Sequence, residues 1–159
     1  MSDWSVNYME NIAEASKTLA PIGLSAFATS MTIGRLFGDR VRMLMGDKKM
    51  IIAGGLIAVV GLSLSLAFPY PYVSIGGFFL VGLGLSSIVP IAYSIAGNTK
   101  QLPPGVGLAM VTTVGYSGFL FGPPIIGFIA DWQTLRVALG FVAVLLVLMT
   151  ILGIRYKSE

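Results

Sequence analysis

From Met50 to Thr99 no side chain carries a charge, and none does from Gln101 to Ala130. A water-soluble domain of this length has no interior large enough to hide such runs, so the solvent around them is lipid. Composition agrees: 55% of residues are apolar, 11% are charged, and mean hydropathy is +0.86. The chain has neither cysteine nor histidine. That excludes disulfides, thiol chemistry, and the commonest metal ligand and proton-transfer base.

The charges are concentrated elsewhere. Gly34-Arg-Leu-Phe-Gly-Asp-Arg-Val-Arg-Met-Leu-Met-Gly-Asp-Lys-Lys49 holds five of the ten basic residues and two of the seven acidic ones. It follows an apolar run, Leu19–Phe37, in which only Arg35 is charged. A short basic stretch between two bilayer-length apolar segments is expected to be a cytoplasmic loop, since Lys and Arg are retained on that side. Five full spans follow from the apolar runs, at about 19–37, 50–68, 72–97, 106–130 and 137–154. With this topology Arg35, Arg40, Arg42, Lys48, Lys49, Lys100, Arg155 and Lys157 lie inside, and only Lys17 and Arg136 outside. The bias predicts a multi-pass protein of the cell membrane, in a bacterium the inner one, with a cytoplasmic C-terminus and an external turn at Phe68–Tyr72. Met1–Lys17 is polar, too short to span, and shows no signal peptide.

The spans differ in kind. The second and fifth are almost wholly aliphatic and are expected to face lipid all round. The first carries Ser25, Thr29 and Thr32; the third Gly82, Ser86, Pro90, Tyr93 and Gly97; the fourth Thr112, Thr113, Tyr116 and Ser117. Hydroxyls are disfavoured against lipid, so these stripes are expected to face a cavity or another helix. Pro90 predicts a kink in the third span, and Pro123-Pro124 an interruption in the fourth. Gly34/Gly38 and Gly118/Gly122 are spaced for close helix approach.

The order Gly34, Leu36, Gly38-Asp-Arg40 and then Gly46 with Lys48-Lys49 resembles the loop signature of the major facilitator superfamily, roughly G-x-x-x-D-R-x-G-R-R. The match is partial: Gly34 to Asp39 is one residue longer, and five residues separate Arg40 from Gly46 rather than one. Asp3-Trp-Ser-Val-Asn-Tyr8, Ala20-Pro-Ile-Gly-Leu-Ser-Ala-Phe27 and Thr112-Thr-Val-Gly-Tyr-Ser-Gly-Phe-Leu-Phe-Gly-Pro-Pro-Ile-Ile-Gly127 are similar to its sugar-permease-like, fucose-permease-related branch. The resemblance covers essentially the whole chain. It implies an all-α polytopic bundle in which residues 1–159 correspond to part of helix seven and helices eight to twelve of a twelve-helix transporter. It implies further that Gly34, Gly38, Asp39, Arg40 and Arg42 form a gating loop that locks the cytoplasmic side. Such a chain is expected to be an N-terminally truncated transporter, idle without its N-terminal bundle, because alternating access needs two bundles around a midplane site.

A charged solute would need an opposite charge at midplane, where an unpaired ion is strongly unfavourable. None is available unless Asp3 sits deeper than its position implies. The expected solute is therefore small, neutral and sugar-like, and the expected contacts are Trp4, Asn7, Thr29, Ser86, Tyr93, Thr113 and Tyr116. No cofactor, metal or nucleic acid is implied; the partners are the N-terminal bundle, the bilayer and the solute. The alternative is an autonomous small membrane protein that oligomerises or binds a partner through its glycine-rich faces. An enzyme is a distant third reading: with no histidine or cysteine, and no carboxylate within the five spans, there is no obvious general acid, nucleophile or metal site.

Overall fold

The computed structural model describes residues 2–99 and 102–155, which form helices joined by short turns. Lys100, Lys157 and the rest of the tail after Arg155 lie outside the described residues. In chain order the elements are α1 (Ser2–Asn11), α2 (Ala20–Met45), α3 (Asp47–Ala67), α4 (Pro71–Leu85), α5 (Ile88–Asn98), α6 (Pro104–Trp132) and α7 (Leu135–Arg155). Prolines open α2, α4 and α6, where the missing N–H has no helical partner to lose. Among the described residues four spans are long and apolar enough to cross a membrane: 47–67, 71–98, 105–132 and 135–155. Helix α2 has the length, at 26 residues, and is not one of those four. The architecture is a helical membrane bundle, and five spans is an approximate count.

The charged stretch is not a loop. Helix α2 runs on to Met45 and α3 begins at Asp47, so Gly46 alone turns the chain. Its φ of +80° and ψ of 162° belong to glycine, although a Cβ there would meet nothing within 4 Å. Backbone conformation, rather than space, requires the glycine. Charged side chains do not forbid helix, and here both helices carry theirs at exposed or partly exposed positions.

The third span breaks at Ser86–Ser87, one turn before Pro90. Proline has no N–H to offer the Ser86 carbonyl, and its ring crowds that oxygen. Helix α4 closes instead with a long, tight-turn bond from Ser86 N–H to the Leu83 carbonyl (3.4 Å), and α5 restarts with Ile91 N–H on Ser87 (3.1 Å). The expected interruption at Pro123-Pro124 does not occur, for α6 continues through both.

The core lies between α3 and α4, with α2 along the other side of α4 and α7 along α3. At Gly54 and Gly84 the two backbones touch, and a Cβ on either would run into the other's carbonyl oxygen. The second span is thus the centre of the bundle rather than a lipid-facing outer helix: Gly55, Ala58, Gly61, Leu62 and Ser65 are all buried. Tyr8 ties α1 to this core, fully buried with its hydroxyl donating to the Ser65 carbonyl at 2.5 Å. Its ring meets Phe78 edge-on at 5.8 Å. At the same end of the bundle Arg136 donates to the Leu66 carbonyl (2.5 Å) in the last turn of α3. Helix α6 is the reverse case: apart from Gly107, none of its described residues is buried.

Candidate functional site

Small residues bring α2 against the break in the third span. Gly34 and Gly38 are buried, and a Cβ on them would strike the side chains of Ser86 and Ser87 respectively. Beyond Ser87 α2 and α5 part, leaving a cleft of about 390 Å³. Arg35, Gly38, Asp39 and Arg42 line it from α2, and Ser87, Val89, Pro90, Ile91 and Tyr93 from the other wall.

Arg42 spans the end of this cleft. Its Nε donates to Asp47 Oδ1 at 2.5 Å and its Nη2 to Asp47 Oδ2 at 3.0 Å. The same Nη2 donates to Ser94 Oγ on α5 at 2.7 Å. The guanidinium hydrogen bonds hold the Asp47 carboxyl below its ordinary value, against an opposing effect of burial. The fork geometry suits a planar carboxylate, and no lysine would reproduce it. A pairing of Arg with Asp five residues later across a helix-breaking glycine is visible in the sequence; the link to Ser94 is not.

The other residues expected to form a gating loop stand apart from this network. Asp39 lines the cleft and Arg40 lies outside it, both exposed, and neither has a side-chain hydrogen bond or ion pair among the described residues. Gly34 and Gly38 form the seat for the break.

The expected solute contacts are dispersed. Trp4 lies against α6, its ring edge 3.5 Å from where a Gly127 Cβ would stand. Its indole N–H is buried with no partner among the described residues. The Asp3 side chain lies outside them. Asn7 is exposed and accepts from Asn11 Nδ2 at 2.6 Å. Thr29 is exposed on α2, and Thr113 on α6 donates to the Ala109 carbonyl at 2.8 Å. Tyr116 is 69% exposed. Tyr93 lines the cleft, its hydroxyl 3.3 Å from that of Thr112. Ser86 is buried in the α2–α4 seam and donates to the Leu83 carbonyl at 2.7 Å. Gly118 and Gly122, spaced for close packing, have nothing among the described residues within 4 Å of where a Cβ would stand.

A bundle of long apolar helices, with one broken span and polar groups in mid-helix, defines a polytopic membrane protein. Comparison with known proteins gives the family. The Major Facilitator Superfamily profile matches residues 4–159, and the chain belongs to that family, whose members are transporters rather than enzymes. An uncharacterized MFS-type transporter of Yersinia pestis is 40% identical over 146 residues, 92% of this chain and 38% of that protein. Membrane protein MosC of Rhizobium meliloti is 37% identical over 142 residues, 89% of this chain and 35% of its own length. The glucose/mannose transporter GlcP of Bacillus subtilis is 29% identical over 159 residues, covering 93% of this chain and 38% of that protein. The chain therefore spans less than two fifths of each of these relatives. No solved structure matches.

Proposed function

We propose that residues 1–159 form the C-terminal bundle of a secondary active transporter that moves a small, neutral, sugar-like solute by alternating access. The observation that carries this reading is the mid-span face of α6. Thr113 and Tyr116 stand exposed there, with no charged side chain between Gln101 and Ala130. Hydroxyl and aromatic groups facing away from this chain's core suit a solute cavity shared with a second bundle, since lipid would leave the hydroxyls poorly accommodated. The relation to a glucose/mannose transporter supports a sugar-like solute. Asn7, Trp4, Thr29 and Tyr93 complete the candidate contacts, whereas Ser86 is taken up by helix packing. In this reading the end of the bundle bearing Gly46 is cytoplasmic, and Asp39 and Arg40 are free to meet the other bundle when that side closes.

The test is uptake by the full-length protein of a panel of neutral hexoses and polyols. Tyr116→Phe, Tyr93→Phe and Thr113→Val each remove a hydroxyl while preserving shape. At least one is expected to raise KM about fivefold, the effect of one lost hydrogen bond. Unchanged KM in all three, or transport only of an ion, would overturn the reading. Asp39→Asn is expected to slow turnover with KM nearly unchanged; weaker binding at normal turnover would reject its part in closure.

A further inference from the structure

Helix α6 carries a second polar feature, in its last turns, that the mid-span contacts do not use. Phe128, Asp131 and Trp132 line a cleft there of about 380 Å³. The two rings stand 6.4 Å apart, centroid to centroid, and are inclined by 46°. Both are left open, Phe128 being 70% and Trp132 79% exposed. The Asp131 carboxylate beside them is exposed too, with no side-chain hydrogen bond or ion pair among the described residues. The nearest basic residue along the chain, Arg136, is turned to the Leu66 carbonyl instead. That bond puts the cleft at the end of the bundle remote from Gly46, since α3 runs from Gly46 towards Leu66.

Thr113, Ser117, Pro124, Phe128 and Asp131 follow one another along α6 at steps of three, four or seven residues, and all five are exposed. They therefore share one face. The cleft ends the face that holds Thr113, about 27 Å along the helix from it. An aromatic face beside a bare carboxylate suits two kinds of ligand. An organic cation would meet the ring quadrupole and the charge together. A sugar would lay its C–H face on a ring and donate neighbouring hydroxyls to the two carboxylate oxygens. The rest of the face decides between them. It offers no carboxylate between Gln101 and Ala130, so a cation would have no partner further along, where a bare charge is strongly disfavoured. Ser117, Tyr116 and Thr113 offer hydroxyls to a neutral polyol on the same route.

We infer that Phe128, Asp131 and Trp132 form an entry station for the solute: a sugar-like molecule stacks on the rings, is held by hydroxyl bonds to Asp131, and passes along α6 to the mid-span contacts. The class of solute rests on the function proposed above.

Trp132 supplies its own probe. In the full-length protein in lipid nanodiscs, Trp4 and any tryptophan elsewhere in it are changed to Phe. Trp132 emission is then followed as glucose, mannose, mannitol or choline is added. At least one of the three neutral compounds is expected to give a saturable change. Asp131→Asn is expected to raise the half-saturating concentration about tenfold, as loss of a charge-assisted hydrogen bond would, and Asp131→Glu to recover most of it. Asp131 is exposed, so these changes remove no packing. A change with choline alone, no change with any neutral compound, or an unaltered response in Asp131→Asn would overturn the station. Uptake of the same compounds by the native protein separates it from the transporter reading. Uptake with a silent Trp132 would remove the station and leave that reading standing. A saturable response weakened by Asp131→Asn, with uptake of none of them, would keep the site and reject the reading.

Discussion

Helices α4 and α5 are two parts of one apolar span, and they are held by opposite means. Helix α4 buries Ser74, Gly77, Phe78, Val81, Gly82 and Gly84, and its glycines admit the backbones of α2 and α3. Helix α5 buries Ile91 alone and is held by side-chain tips, Arg42 to Ser94 and Tyr93 to Thr112. In lipid there is no hydrophobic drive between helices, so close packing of small residues is what fixes a segment. Where that packing stops, a few polar links decide position. The first half of the span is fixed by packing, and the second is held by a few polar links.

Changes to the packed half are expected to have the largest effects. Gly84→Leu would force a side chain into the Gly54 carbonyl and the Ala58 backbone. Overpacking commonly costs 1–3 kcal/mol, and here the obstacle is backbone with no route of escape. Loss of folded, monodisperse protein in detergent is the expected outcome. Gly97→Ala in α5 is the control: its Cβ would meet Leu108 Cδ2 at 3.6 Å, an ordinary contact. Near-normal yield for Gly84→Leu, or collapse for Gly97→Ala, would break the contrast.

Pro90→Ala comes next. It returns an N–H that the Ser86 carbonyl can accept, worth about 1 kcal/mol. Thermal stability should rise and turnover should fall, because α5 is then continuous with α4. A faster transporter would contradict the effect expected of the break at Ser86–Ser87.

The smallest effect belongs to Asp47, in the polar turn before the apolar part of α3. Its carboxyl is held below its ordinary value by Arg42, so the ionised form is favoured in the folded protein. The contribution is therefore fully present above the unfolded carboxylate pKa and is lost as pH falls through the lowered folded value. Both groups are partly exposed, so the gain is modest. Asp47→Asn is expected to lower the melting midpoint slightly at neutral pH, with the difference vanishing in strong acid. A difference that persists there would assign the effect to something other than the ion pair.

Hydropathy reads side chains, and among the described residues four of its five apolar runs coincide with helices long and apolar enough to cross a membrane. It misplaced what depends on backbone. Glycines in α3 count as neutral residues on an aliphatic helix, yet they let α4 approach closely and make α3 central. The charges of Gly38–Lys49 look like a loop, although only Gly46 has a non-helical conformation there. Pro90 announced a distortion, but the missing bond belongs to its acceptor one turn earlier, at Ser86. Of the clasp, Arg42 and Asp47 lie close together within the charged stretch, whereas Ser94 is not singled out, since nothing local marks a bond between residues 52 apart. The mid-span hydroxyls of Thr113 and Tyr116 were readable as polar in lipid, and the structure leaves both exposed.

The account turns on whether α5 is held less firmly than α4. Spin labels on cysteines introduced at Leu44 and Asn98 would measure the distance from the end of α2 to the end of α5. Labels at Leu64 and Tyr72 would do the same between α3 and α4. All four positions are exposed, and this chain has no cysteine of its own. In the full-length protein in lipid, the first pair should give a broad or two-peaked distance distribution that narrows with Pro90→Ala, and the second a single narrow peak in both backgrounds. Equally narrow distributions for the two pairs, unaffected by Pro90→Ala, would show one rigid span and contradict the account.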